Sequence, residues 1–551
     1  MNWKWLSYLS GAIVLTLSFF QASFGEPWND EVYYWLFAQQ CDWGYLDHPP
    51  MVAWWIKAGT WIWGDNSFGI RFFFLLSFLF LCSAFLYLKS SLSSHDKLLL
   101  LLCIPAYMLA GFLAVPDTPL LFFGFWFFVS AKRFTEKQDF YSGFFLALSI
   151  SGMLYSKYHG ILPVICLVLF YPSLLLTPWF YLASVIALVF FTPHLIWQYN
   201  HGFPSVAYHF FERSQSAYQW NFTSDYVLAQ FLLLGTFVSW FLFSSAWKGF
   251  LSSSKFDRFL AFVFCFVLGF FLLSSFKGHV EANWTAIALL PGMYLSLVRL
   301  ERNPPLLKKI RLFFIPSLVL IIAGKCFFLI PSASGLISSR NEWHGSVQWA
   351  SALQTKAGKL PVVFNNSYQK AARYMFYTGG TAISFNTVSG RRNQFEFWPY
   401  QDSVRYKDVL FVTGRRGADC DSVYTHMDGW IHVKKLKRFV VFMNIKLLPE
   451  NRNIIAKAKS LVPLNLRIDN PYLFKLPLPQ DSMYAGYRIT RNNKCIEDFT
   501  DTHHLLLASE KHILLPIQVP AQTGEYKIIF TLKSSANEAT INSGLYSLKV
   551  E

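Results

Sequence analysis

The chain has 551 residues, of which 54% are hydrophobic, 19% aromatic and only 15% charged, against about 25% charged in an ordinary soluble domain. With a mean hydropathy of +0.32, this excludes a disordered chain and an ordinary cytosolic enzyme. A net charge of +16 would suggest nucleic acid on a soluble protein. Here the basic residues crowd the short loops between apolar runs, which is the positive-inside pattern of a membrane protein, and no nucleic-acid partner is expected.

A membrane span needs about 20 largely apolar residues. Such runs, some of them short, fall at about 6–24, 68–88, 97–113, 118–131, 141–156, 159–171, 174–195, 226–246, 258–276, 283–298 and 311–330, about eleven in all. Lys4 precedes the first run and no A-x-A cleavage site follows it, so a retained span is expected rather than a signal peptide. With the N-terminus in the cytoplasm and spans alternating, the inside loops hold about 14 Lys and Arg and the outside loops about 5. Everything after Ile330 is then on the outer side. The expected location is the inner membrane of a bacterium, with the C-terminal part in the periplasm.

The first outer loop, about residues 25–67, holds the aromatic, helix-compatible stretches 32–40 and 51–63. It is expected to lie along the bilayer interface with its Trp rings at headgroup level. Past Pro331 the texture changes. Strand-like segments at 361–366 and 408–414 alternate with helix-like ones at 346–357 and 367–379, the pattern of an α/β domain. Residues 513–520 and 526–535 read as strands with a turn at 521–524, part of a small β-sandwich. The expected fold is a polytopic α-helical membrane domain over 1–330, an outer-side α/β domain over 331–455 and a β-rich module over 456–551. The 8 Cys show no CxxC spacing; Cys420 and Cys495 lie in the polar part and are free to pair.

Ionisable residues at a membrane boundary are costly and so become functional candidates. Asp30 and Glu31 are adjacent acids just after the first span, where a helix cap is the alternative. Asp47 and His48 precede two prolines that hold the chain extended. A neutral imidazole and a carboxylate suit a divalent cation; a protonated His48 suits phosphate oxygens. Asp117 is in a short outer turn, where it also reads as a helix start. Lys157 with His159, His209 with Arg213, and Lys277 each fall at an outer membrane end. Their charges suit a lipid phosphate, or simple snorkelling to the headgroups. The topology puts all six clusters on one side of the membrane, which separate structural caps would have no reason to share. Arg391 and Arg392, with aromatic neighbours, could cover a site or contact an anionic acceptor, against an ordinary surface loop.

The order D-E-x-Y-Y at 30–34, L-D-H-P-P-M-V-A-W-W at 46–55 and P-D-T-P-L at 116–120 resembles the polyprenyl-phosphate-dependent glycosyltransferases of the GT-C class. Within it, the protein O-mannosyltransferase-like family and the aminoarabinose transferases are the nearest in pattern, over about residues 20–300. The resemblance implies a polyprenyl-phosphate-sugar donor, a lipid, glycan or protein acceptor met at the outer face, and inversion at the anomeric carbon. It makes Asp30 the catalytic carboxylate, with Glu31 beside it and Asp117 as the second acid. Asp47 matches an acidic position before the prolines. His48 departs from the aminoarabinose transferases, which have Lys there, so the sugar stays open. His48, Lys157, His159, Arg213 and Lys277 are then candidates for the donor phosphate, and Asp47, His48 and His209 for a divalent metal ion. A lipid phosphate is already a good leaving group, and no Gly-rich nucleotide loop stands at a strand-to-helix junction, so no nucleotide cofactor is expected. The competing readings are a transporter or flippase of lipid-linked sugars, which would favour ionisable groups near the midplane, and an envelope scaffold protein.

Overall fold

The computed structural model describes residues 2–207, 218–334, 343–414, 416, 419–425, 427–472, 483–491, 494–505, 511–534 and 538–551. The chain divides into two units, Met1–Ser339 and Arg340–Glu551.

The first unit is helical. Its helices are α1 (Trp3–Phe24), α2 (Asn29–Gln39), α3 (Met51–Trp63), α4 (Ser67–Tyr87), α5 (Ser94–Leu102) and α6 (Pro105–Ala110). They continue as α7 (Asp117–Glu136), α8 (Phe140–Ser156), α9 (Ile161–Phe170), α10 (Pro178–Asn200) and the short α11 (Pro204–Val206). After them come α12 (Trp220–Leu233), α13 (Ser239–Gly249), α14 (Lys255–Ser275), α15 (Leu289–Arg302), α16 (Leu306–Leu329) and α17 (Pro331–Ser334).

Five of the described helices, α1, α4, α10, α14 and α16, are long and apolar enough to cross a membrane alone. Other expected spans are built from pieces. The run at 97–113 breaks between α5 and α6, where Pro105 has no N–H to continue the ladder. The run at 226–246 breaks between α12 and α13 at Gly235, which has φ 109°. A Cβ there would stand 2.9 Å from the Cys103 carbonyl oxygen, so this close turn needs glycine. The helices share one apolar core that includes Phe78, Phe127, Phe134, Phe259 and Phe314.

The first outer loop departs from its expected place. α2 is buried from Glu31 through Ala38, because its aromatic residues pack into the unit. Only the end of α3 has the exposure an interfacial helix needs, with Trp61 at 85% and Trp63 at 48%.

In the second unit, α18 (Ser346–Ala357) and α19 (Tyr368–Thr378) accompany a sheet of order β2-β1-β3-β5-β4. Its strands are β1 (Val362–Asn365), β2 (Ala382–Phe385), β3 (Val409–Thr413), β4 (Asp421–Thr425) and β5 (Gly429–Leu436). β1 is parallel to both neighbours and β5 is antiparallel to both of its own.

The tail holds β6 (Lys446–Pro449), β7 (Asn453–Ala456), β8 (Leu461–Asp469), β9 (Tyr484–Arg491) and β10 (Lys494–Leu505). It ends with β11 (His512–Gln518), β12 (Gly524–Lys533), β13 (Ala539–Ile541) and β14 (Tyr546–Val550). One sheet runs β10-β9-β12-β14-β7 with β13 beside β12, and the other runs β11-β8-β6. Leu466 and Leu515 of the second share a core with Tyr487, Ile528 and Leu548 of the first, as in a β-sandwich. One detail differs from expectation. β6 lies before the expected boundary at residue 456 and β7 straddles it, yet both pair into the sandwich sheets. The turn at 521–524 carries the chain from one sheet to the other, because β11 pairs with β8 and β12 with β9. Cys420 and Cys495 are free thiols.

Candidate active site

The candidate site starts at the first turn of α2. Asp30 is exposed, whereas Glu31 next to it is fully buried. Glu31 Oε1 accepts from Arg71 Nε at 2.8 Å and from the Ala114 N–H at 2.9 Å. Its Oε2 accepts from Arg71 Nη2 at 2.6 Å and from the Trp28 N–H at 2.9 Å. Arg71 in turn donates to the carbonyls of Gln21 at 2.9 Å, Gly25 at 2.8 Å and Glu26 at 3.0 Å. A guanidinium has five N–H donors and a carboxylate about four acceptor sites. Every one is used. Glu31, grouped with Asp30 among the catalytic candidates, is therefore not placed to act on a substrate. It has no lone pair left for a substrate and acts as a framework residue. Burial pushes its carboxyl up, but the Arg71 charge and the hydrogen bonds outweigh this and hold it below the ordinary glutamate value. Arg71 also sits on carbonyls at the end of α1, where the helix dipole favours a cation.

The Ala114 bond has a geometric consequence. Ala114 lies just ahead of Asp117, the first residue of α7, and Glu31 lies beside Asp30 in the first turn of α2. The bond therefore ties the start of α7 to the start of α2, and with them the two acids.

Asp117 is buried and paired. Lys157 Nζ donates to its Oδ1 at 2.7 Å, and Asn283 Nδ2 donates to its Oδ2 at 2.6 Å. Lys157, expected to hold the donor phosphate, thus uses its charge first on Asp117. Asn283 was not singled out in the sequence. It lies six residues after Lys277, which is one of the candidates.

The D-E-x-Y-Y and L-D-H-P-P segments meet through the two tyrosines. Tyr33 Oη donates to Asp47 Oδ2 at 3.1 Å, and the Tyr34 and His48 rings meet edge to face at 5.6 Å. Tyr45 stacks on Phe37 at 4.2 Å and fixes the start of the loop. The spacing of the first motif is explained by these contacts: Glu31 reaches Arg71 and the Ala114 N–H, and the tyrosines reach Asp47 and His48.

The remaining candidates divide. The His159 ring packs against Phe271 and Trp284 at 4.8 and 4.9 Å, in an aromatic setting. Lys277 is exposed. His209 and Arg213 lie outside the described residues. Among the described residues, no three His, Cys, Asp or Glu side chains form a group that could hold a metal ion. In the second unit, Arg392 Nε donates to Glu396 at 2.8 Å, and Arg391 lies over the Tyr368 ring at 5.3 Å. Arg71, which pairs with Glu31, is not among the residues the sequence marks as candidates. Its signal was a lone charge at the start of the apolar run 68–88.

Comparison with known proteins gives a family match over part of the chain and a shared fold over most of it. Residues 47–197 match the family model described as dolichyl-phosphate-mannose-protein mannosyltransferase, a stretch that takes in Asp47, His48, Asp117 and Lys157. The resemblance to GT-C glycosyltransferases is borne out by this match and by the fold. That fold is shared with ArnT from Cupriavidus metallidurans. Its apo structure aligns with a TM-score of 0.57 at 12% identity, covering 78% of this chain and 98% of that one. Its structure bound to undecaprenyl phosphate aligns with a TM-score of 0.56 at 14% identity, covering 79% and 98%. No curated protein sequence matches the chain. The helical majority, the five long apolar helices and the sheet-rich second unit agree with a multi-pass membrane protein of this fold.

Proposed function

We propose that the chain is an inverting glycosyltransferase that moves a sugar from a polyprenyl-phosphate carrier to an envelope acceptor at the outer face of a bacterial inner membrane. The observation that carries this reading is the Glu31 lock. It bonds the Ala114 N–H and Arg71 at once, and so gathers the Asp30 and Asp117 helix starts, while Tyr33 and Tyr34 bring in Asp47 and His48. The family match over 47–197 and the undecaprenyl phosphate bound by ArnT support a polyprenyl-phosphate donor.

In this reading, Asp30 is the base. It takes the proton of an acceptor hydroxyl as the oxygen attacks the anomeric carbon from the face opposite the phosphate. The C–O bond to the phosphate breaks, its electron pair leaves with the polyprenyl phosphate, and the configuration inverts. Asp117, held by Lys157 and Asn283, orients sugar hydroxyls. Lys157 offsets charge growing on the departing phosphate through the N–H groups not spent on Asp117. His48, when protonated, reaches the same phosphate. The sugar and the acceptor are left open as to kind; lipid A, another glycolipid, a glycan or a protein side chain all offer a hydroxyl or phosphate oxygen.

The reading is tested with the purified chain in nanodiscs and radiolabelled undecaprenyl-phosphate sugars from envelope extracts. Release of undecaprenyl phosphate that needs both the chain and an acceptor extract supports it. No release from any lipid-linked sugar, with any acceptor fraction, would sink it.

A further inference from the structure

A polar network that the catalytic groups do not use grips the Asp47–His48 loop from behind. It is centred on His194 and Gln198, one turn apart on α10, both almost wholly buried. Gln198 Nε2 donates to Tyr158 Oη at 3.0 Å and to Ser205 Oγ at 2.7 Å. Ser205 Oγ donates to the Tyr45 carbonyl at 3.0 Å. Tyr158 Oη is 3.0 Å from His194 Nε2, and His194 Nδ1 is 2.7 Å from the Trp43 carbonyl.

The bonds have one self-consistent direction. A carbonyl can only accept, so His194 carries its proton on Nδ1 and gives it to Trp43. Nε2 is then an acceptor and takes the Tyr158 hydroxyl proton. The Tyr158 and Ser205 oxygens accept the two Gln198 amide protons. Both branches start at one amide and end on the carbonyls of Trp43 and Tyr45, on either side of Gly44.

Gly44 completes the grip. A Cβ there would stand 2.5 Å from Trp197 Cε3 and 2.9 Å from His194 Nδ1, so only glycine lets the loop approach α10 this closely. Trp197 adds a bond from Nε1 to Asp42 Oδ2 at 2.7 Å. Residues 42–45 are thus held at four successive positions by one face of α10 and its neighbour Ser205. Two residues later come Asp47 and His48. Tyr158 follows Lys157, the partner of Asp117, so the end of α8 joins this network to the second acid.

We propose that His194 and Gln198 form a clasp that positions the Asp47–His48 loop for the donor phosphate. Both are positioning residues and touch no reacting atom. The proposal rests on the reading of this loop as the donor side of the site.

The probe is undecaprenyl phosphate, bound to the full-length chain in nanodiscs. His194→Ala is expected to weaken binding by about tenfold, the scale of one or two hydrogen bonds. His194→Asn places an amide N–H near the Nδ1 position and is expected to stay within about threefold of the parent chain. His194→Gln reaches the Nε2 position instead and is expected to bind as poorly as His194→Ala. Equal affinity in His194→Ala and the parent overturns the clasp. So does equal loss in all three variants, the pattern of a packing role. If the parent chain itself does not bind undecaprenyl phosphate, the donor reading fails, and the clasp is judged separately by hydrogen exchange over residues 41–48. Faster exchange in His194→Ala but not in His194→Asn then supports it, and unchanged exchange in His194→Ala overturns it.

Discussion

Glu31 and Arg71, 40 positions apart in the chain, meet as a two-pronged ion pair at 2.8 and 2.6 Å, with both side chains at most 2% exposed. Around them the end of α1, the start of α2, α4 and the segment before α7 are joined by hydrogen bonds. A buried pair whose every donor and acceptor is satisfied holds a fold in one arrangement. The same pair with one partner removed leaves an uncompensated charge.

Arg71→Ala is therefore expected to destabilise the membrane unit by about 3–5 kcal/mol, and Glu31→Gln to act in the same direction. Arg71→Lys rescues little, because an ammonium has three donors and no fork to match the carboxylate and three carbonyls. Thermal unfolding of the purified variants in detergent checks this. A melting temperature unchanged by Arg71→Ala would show that the pair does not hold the fold.

The acid side of the pH profile follows from the same residue. The Glu31 carboxyl is held below its ordinary value of 4.5 in the folded chain. Its stabilising contribution is complete above the unfolded-state value and is lost as pH falls below it towards the folded value. The melting temperature is expected to drop as pH is lowered from about 5 to 3. In Glu31→Gln, which starts lower, the part of the drop due to this group disappears. Parallel curves for the two proteins would contradict the assignment.

Asp117 and Lys157 are expected to be strongly coupled. Each single change, Asp117→Asn or Lys157→Met, strands a buried partner and costs about 3–5 kcal/mol. The double variant regains part of that loss, so a double-mutant cycle gives a coupling energy of at least about 1 kcal/mol. Transfer activity stays low in all three, since the proposed chemistry needs both groups. Strict additivity in stability would contradict the pairing.

Much of this was legible in the sequence. Long apolar runs set where α1, α4, α14 and α16 stand, since hydropathy over about 20 residues is a local property. The strand and helix segments of the α/β sheet were legible from short apolar runs alternating with helix-like stretches, which are local patterns too. What a side chain pairs with was not. Glu31 reads as the twin of Asp30 until Arg71 is placed against it, and nothing in the neighbourhood of either residue marks the other. His194 sits in an apolar run and reads as a core histidine until Trp43 and Tyr158 are brought to it. β11 and β12 alternate as strands should, but a five-residue connection serves a hairpin or a crossing between sheets equally well, and only the partner strands decide.

Asp30 tests the central claim most directly, because it is exposed and its replacement leaves the Glu31 lock intact. Cells lacking the chain are supplied with the parent protein or with Asp30→Asn at equal folded level, and their envelope lipids, glycans and glycopeptides are compared by mass spectrometry. The account predicts a sugar-sized mass that the parent restores and Asp30→Asn does not, with transfer reduced about 10²–10⁴-fold as for a lost general base. Full restoration by Asp30→Asn would contradict it.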